Sequence, residues 1–307
     1  MATDELLRFI SKNRETSWLD LTGGEIFLRQ DLDDILDAIT ASWSNLVILH
    51  FPTNGSLTDR IVSTAARLAA KSRARLIITV SLDGDEQLND EVRGVRGGYR
   101  RQIETFNALR RIRGIRAVFG MTVSSFNAGH FLQTFKACQR DCPGLTINDF
   151  HVNVAQQSAH YYGNSDTTNL LPRASLLEHD LALYRSLRGM PSSLSSWVER
   201  TFLNDLDRFL RSGRTPMRCH SLRSSCFVDP WGTVYPCITY DRPVGSLRDT
   251  DMDLAAVWNS EVAQRVQEEI WAGDCPQCWT ACEAYQSILG NVLRPFDRRP
   301  VPTATAL

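Results

Sequence analysis

Short apolar runs alternate with amphipathic stretches through the first half of this chain, and that alternation restricts its fold more than any other feature. The runs lie at residues 18–21, 46–51, 75–82, 117–124 and 149–155. They are rich in Val, Ile and Leu, the composition of strands covered on both faces. Between them the pattern predicts helices at 31–41, 57–71, 99–112 and 131–139. The repeat is roughly 30–40 residues, the length of a βαβ unit. Alternation of this kind predicts an α/β fold with a parallel sheet, open or barrel-like. Two further helices, at 173–188 and 195–211, lead to a different composition beyond residue 214, where Cys, Pro, Gly and Trp rise. One more helix is predicted at 254–270. The expected organisation is a sheet domain at 1–172, a helical bridge at 173–214, a small cysteine-rich domain at 215–292 and a flexible tail at 293–307.

Composition narrows the possible partners. Lys and Arg number 34 against 35 Asp and Glu, which argues against a dedicated nucleic-acid or acidic-membrane binder. The locally basic stretch 93–116 reads as a solvated helix face. No apolar run approaches the ~20 residues of a membrane span. The N-terminal MATDELLRFISKN reads as an amphipathic helix without the apolar core or cleavage site of a secretion signal. A cytoplasmic location is expected, and disulfides do not persist there. None of the eight cysteines precedes Cys138, and six crowd between Cys219 and Cys282. In a reducing compartment such crowding suggests metal ligation.

The predicted strands end in polar, turn-forming segments. The first leads into Thr22-Gly23-Gly24-Glu25, where two glycines let backbone approach a ligand and a carboxylate can accept from an ammonium group. The second ends in Thr53-Asn54-Gly55 and the third in Ser81-Leu82-Asp83-Gly84, where Ser81 and Asp83 could hold sugar hydroxyls. The fourth gives Thr122-Val123-Ser124-Ser125 and the fifth runs from His151 through Asn153 and Ala155. Each segment alone reads equally as a turn. Together they set polar groups at successive carboxyl ends of parallel strands, where α/β sheets and barrels bind ligands.

In order and wording, "LTGGEIFLRQDL", "TNGSL", "SLDGDEQLNDEVRGVRGGYRRQIETFNALRR" and "TVSSFN" resemble the strand-end motifs of the radical S-adenosylmethionine superfamily. The resemblance covers about residues 1–160 and implies a (β/α) barrel of that type. It implies that Gly23, Gly24 and Glu25 hold the methionine amino group of the cofactor. It places Ser81 and Asp83 by the ribose and Asn153 to Ala155 by the adenine, with Asn54 on the same rim. The family also carries a Cys-x3-Cys-x2-Cys loop after its first strand, holding the cluster that initiates radical chemistry. Here the sequence begins at what looks like the first helix, past that strand and loop. Cys138 and Cys142 offer only Cys-x3-Cys on a late helix and read as small packed residues. The expectation is a partial barrel, either truncated or degenerate. A sheet without that strand would leave residues 18–21 as an uncovered apolar edge, which natural proteins avoid.

The cysteine-rich segment reads Cys219-x6-Cys226-x10-Cys237, then Cys275-x2-Cys278-x3-Cys282. The stretch from Cys226 to Cys237 predicts a hairpin around Pro230-Trp231-Gly232. A Cys-x2-Cys turn lets two thiolates reach one centre, and Cys219 and Cys237 complete four ligands, the usual complement of an iron–sulfur cluster. Cys226 and Cys282 could replace one of them or stay free. A structural zinc site is the alternative, although four-thiolate zinc sites often show two Cys-x2-Cys knuckles and this chain has one. The segment resembles the twitch or SPASM extension of radical S-adenosylmethionine enzymes, which implies one auxiliary [4Fe–4S] cluster. The six histidines, His50, His130, His151, His160, His179 and His220, show no metal spacing. His220, next to Cys219, is a remote ligand candidate, and the others read as packing or surface residues.

The resemblance therefore implies an enzyme that uses S-adenosylmethionine and an auxiliary cluster to modify a peptide or build a cofactor. It implies a reductant such as flavodoxin or ferredoxin. The competing reading is a non-catalytic cluster- or cofactor-binding protein, or an electron-transfer homologue. An unrelated α/β enzyme with a zinc-stapled tail is the third.

Overall fold

The computed structural model describes residues 1–171 and 173–293 and divides into two compact units. The sheet unit comprises Ala2–Ala155 and Asn169–Arg188. The cysteine unit comprises Met1, Gln156–Thr168 and the chain from Gly189 onward. The expected tail lies, from residue 294, outside the described residues.

The sheet unit opens with α1 (Thr3–Lys12). Five strands then follow: β1 (Trp18–Asp20), β2 (Ile48–Thr53), β3 (Arg75–Ser81), β4 (Ile115–Val123) and β5 (Phe150–Val154). All pair in parallel in the order β1-β2-β3-β4-β5. Helices return the chain between them: α2 (Leu32–Ser42), α3 (Thr58–Lys71), α4 (Glu86–Arg93), α5 (Gly98–Leu109) and α6 (Phe131–Asp141). The result is a half-barrel of βαβ units. α7 (Ala174–Arg188) completes the unit. Its buried Asp180 accepts from the Gly129 amide at 2.6 Å and the Phe131 amide at 3.4 Å, at the start of α6. Burial pushes the Asp180 carboxyl up from its ordinary value, with these two amides opposing the shift. Tyr184 donates to the Phe150 carbonyl at 2.7 Å from within a cluster of Phe131, Phe135 and Phe150 rings.

Burial alternates along the strands with period two. Leu49, Phe51, Leu76, Ile78, Val80, Phe119 and Val152 are buried against the helices. The opposite face corrects the expectation that both faces are covered. Asp20, His50, Thr79, Ser81, Arg116 and Asn153 lie there, all of intermediate exposure. A polar chain crosses this face from strand to strand. Trp18 Nε1 donates to Asp20 at 3.1 Å, Asp20 meets His50 Nδ1 at 2.8 Å, and His50 Nε2 meets Thr79 Oγ1 at 2.8 Å. On the next strand stands Gly120, where a Cβ would lie 2.5 Å from the Thr79 methyl. Gly120→Ala is therefore expected to cost roughly 1–3 kcal/mol by overpacking. Thr79→Ser in the same molecule should recover most of it. Thermal denaturation of the three proteins checks this, and an unaltered melting temperature in the single variant would sink the packing account.

The cysteine unit contains α8 (Leu194–Ser212), a small antiparallel sheet of β6 (Phe227–Val228), β7 (Thr233–Tyr235) and β8 (Gly245–Ser246), then α9 (Leu254–Trp258), α10 (Glu261–Ala272) and α11 (Ala281–Leu293). The predicted hairpin is present as β6 and β7, closed by Asp229-Pro230-Trp231-Gly232. Asp229 Oδ1 accepts from the Trp231 and Thr233 amides at 2.8 and 2.9 Å. The single helix predicted at 254–270 is two, because Ser260 caps a new start by accepting from the Ala263 amide. Trp279, buried, donates to the Phe202 carbonyl at 2.9 Å and ties the Cys-x2-Cys segment to α8. No helix of the described residues is long and apolar enough to cross a membrane.

Candidate functional site

Each unit carries one candidate site. In the cysteine unit, Cys219 lies between α8 and the hairpin, Cys237 follows β7, and Cys275 and Cys278 follow α10, which stops at left-handed Gly273. These four residues line one cleft. Three of the sulfurs accept hydrogen bonds. Cys237 Sγ receives the Tyr240 amide at 3.3 Å and lies 3.2 Å from Thr239 Oγ1. Cys219 Sγ receives the Ser221 amide at 3.5 Å, and Cys275 Sγ receives Gln277 Nε2 at 3.4 Å. Such donors favour the thiolate, whereas burial opposes it. Burial dominates: it raises all four thiols, Cys278 to about 11. The buried Glu283 carboxylate adds to the shift at Cys219, Cys237 and Cys278. A cationic centre reverses that preference, because a coordinating thiol is deprotonated outright.

The other two cysteines of the crowd stand apart from this cleft. Cys226 has its thiol pushed up to about 12, by burial first and the Glu283 charge second. Cys282, in the first turn of α11, is exposed. His220 does not line the cleft either; it is buried against Gly290 of α11. Among the described residues no group of three His, Cys, Asp or Glu is drawn tightly enough to hold a single ion. Cys138 and Cys142 are fully buried, in and just after α6.

In the sheet unit the strand-end residues gather along one rim. Gly23 and Gly24 are exposed, and a Cβ on either would meet nothing within 4 Å. Gly23 has φ +151, so a side chain there would be strained whatever the space. Glu25 bridges β1 to β2: its carboxylate accepts from Thr53 Oγ1 at 3.0 Å, the Asn54 amide at 2.6 Å and the Phe27 amide at 3.4 Å. Those are three donors for about four acceptor positions, which leaves room for one more. Asn54 Oδ1 accepts from the Ser56 amide at 2.8 Å. Ser81 ends β3. Asp83 makes two such bonds: one oxygen accepts from Arg93 at 2.7 Å and the other from the Thr122 amide at 2.9 Å, which by the same count leaves acceptor positions open. Arg93 Nε, beside it, is buried without a hydrogen-bond partner. Asn153 Oδ1 accepts from the Val154 amide at 2.9 Å, and Ala155 is buried with its amide on the Val123 carbonyl.

Two of the histidines read as packing or surface residues take part in polar networks. His50 links Asp20 to Thr79 as described. His160 donates to the carbonyl of Cys237. Neither carries a spacing signature, because their partners lie on other segments of the chain.

Residues 219–283 match the SPASM family, described as an iron–sulfur cluster-binding domain. The chain is also 24% identical over 286 residues to an AdoMet-dependent heme synthase of Oleidesulfovibrio alaskensis, an alignment covering 84% of this chain and 66% of that protein. The chain thus spans slightly under two-thirds of the length of this relative. With a parallel half-barrel, its strand-end rim and a cysteine-lined cleft, the chain is similar to radical S-adenosylmethionine proteins that carry a C-terminal SPASM iron–sulfur domain.

Proposed function

We propose that this protein belongs to an S-adenosylmethionine-dependent enzyme of cofactor biosynthesis, with one auxiliary [4Fe–4S] cluster held by Cys219, Cys237, Cys275 and Cys278. The convergence of these four residues on one cleft carries the proposal. Four thiols set around one cleft match the usual complement of an iron–sulfur cluster, and the single Cys-x2-Cys knuckle is one fewer than four-thiolate zinc sites often show. Cofactor biosynthesis is preferred over peptide modification because the relative is a heme synthase. Anaerobic reconstitution with iron and sulfide should give a brown protein with about four iron atoms per chain. Stoichiometric zinc with no visible absorbance would defeat the assignment.

S-adenosylmethionine and its clusters supply the radical chemistry when bound. The chain's own residues bind and orient. Gly23 and Gly24 offer open backbone, and Glu25 keeps one acceptor position for the ammonium. Glu25→Gln removes the charge from that acceptor. It should weaken S-adenosylmethionine binding by roughly 10- to 100-fold, since hydrogen bonds to charged groups are worth about 1.5–3 kcal/mol. Calorimetry checks this, and equal affinity would remove Glu25 from the site.

A second reading is a binding or electron-transfer protein; Cys138 and Cys142 are buried, in and just after α6. These are the only cysteines outside the C-terminal crowd, so the 307 residues contain no Cys-x3-Cys-x2-Cys. Reductive cleavage of S-adenosylmethionine to 5′-deoxyadenosine separates the readings, since only the enzyme produces it. The proposed reductant is a flavodoxin or ferredoxin, and the proposed location is cytoplasmic.

A further inference from the structure

The segment Gln156–Thr168 belongs by its contacts to the cysteine unit, although in sequence it lies between β5 and α7 of the sheet unit. It is also far outside residues 219–283, which match the cluster-binding family. Asn164 holds the segment in shape, accepting from the Ser158 amide at 2.9 Å and donating to the Gln156 carbonyl at 2.9 Å. The buried Ser158 hydroxyl in turn accepts from the Tyr161 amide at 3.1 Å. This scaffold delivers two rings to the β6–β7 hairpin. Tyr161 packs edge-on against Phe227 with centroids 5.2 Å apart, and His160 stacks on Tyr235 at 4.3 Å and 20°.

The His160 side chain is only 5% exposed. Its Nε2 lies 3.0 Å from the carbonyl oxygen of Cys237, 77 residues along the chain. A carbonyl only accepts, so Nε2 carries the hydrogen. Nδ1 faces Ser158 Oγ at 3.4 Å and the Asp241 carboxylate at 3.8 Å. Cys237 is thus tied through its main chain by His160 and through its sulfur by the Tyr240 amide, with Thr239 Oγ1 alongside.

We infer that His160 is a positioning residue for the auxiliary cluster, clamping the Cys237 loop from a segment outside the cluster-binding domain. This rests on the cluster reading above. Groups one layer beyond the ligands orient them and tune a metal centre. A donor on the peptide of a ligand residue draws charge from the centre and favours its reduced form.

The test compares the parent protein with His160→Phe, which keeps the ring stack without the donor, and His160→Gln, which keeps an N–H donor. After iron and sulfide reconstitution, iron per chain is measured. The one-electron midpoint potential is then followed by electron paramagnetic resonance in a mediated dithionite titration. His160→Phe should take up iron but shift to a more negative potential. At the parent's midpoint the oxidised-to-reduced ratio should rise about threefold, the size of one ordinary hydrogen bond, and His160→Gln should return most of the shift. Full iron at the parental potential in His160→Phe overturns the inference.

If His160→Phe takes up no iron, His160→Gln decides: iron at the parental potential supports the clamp, and loss in both variants overturns it. A parent that takes up no iron defeats the cluster reading instead. The clamp is then judged by hydrogen exchange at the Tyr240 amide of the metal-free protein. Faster exchange in His160→Phe with recovery in His160→Gln supports it, and equal rates overturn it.

Discussion

Alanine at Cys237 should reduce bound iron from about four atoms per chain to below one. Cys237 is fixed through both its sulfur and its main chain. It is 6% exposed, its sulfur accepts from the Tyr240 amide, and its carbonyl is held by His160. No other cysteine stands ready to replace it, because Cys226 and Cys282 do not line the cleft. The fold should suffer with the metal. The strands around the cleft are two or three residues long, too short to hold a sheet by themselves. A bound centre supplies folding energy that so small a core lacks. Limited proteolysis should therefore cut between residues 213 and 283 roughly tenfold faster in the variant, the change made by about 1.4 kcal/mol of local stability. Cys282→Ala is the control and should keep its iron. Iron retained in Cys237→Ala, or lost equally in Cys282→Ala, would overturn the ligand set.

The parallel sheet was legible because apolar runs and helices alternate at the βαβ length, a signal that survives errors at every boundary. What escaped was local. α4 reads EQLNDEVR, almost wholly polar; its true signals were the caps, with Asp85 accepting from the Leu88 amide and Gly94 in the left-handed conformation. The half-exposed strand face escaped because Asp20, His50 and Thr79 are isolated polar letters in apolar runs. Their meaning arises only when adjacent strands align them. Six cysteines gave the candidate ligands, and four of these line one cleft. Sequence spacing could rank these four but not show that Cys226 lies off the cleft, because that depends on where the hairpin and α10 bring the chain. Asp83 shows the reverse limit. Its position suggests a ligand contact and says nothing of Arg93 and the Thr122 amide, which each take one acceptor position on its two oxygens.

Gly290→Ala should be destabilising by roughly 1–3 kcal/mol, against what helix propensity alone predicts. Gly290 lies inside α11, where alanine would ordinarily gain about 1 kcal/mol. Here a Cβ would stand 2.3 Å from both Cε1 and Nδ1 of the buried His220 ring. The ring is buried, and the main chain that carries it is held in place. The His220 amide donates to Ser287 Oγ at 3.0 Å, and Asn291 Nδ2 donates to the Arg218 carbonyl at 2.8 Å, both from the same helix. Between these two anchors lies Cys219, whose carbonyl accepts from Trp271 Nε1 at 3.0 Å. A methyl group at position 290 therefore pushes on the residue next to a proposed ligand, and iron uptake should fall together with the melting temperature. Adding His220→Ala removes the ring, so Gly290→Ala should become stabilising in that background. The reversal of sign, read by thermal denaturation of the four proteins in the cycle, separates this packing from a general weakening of the helix. A stabilising effect of Gly290→Ala in the parent would mean that α11 does not press on the Cys219 segment.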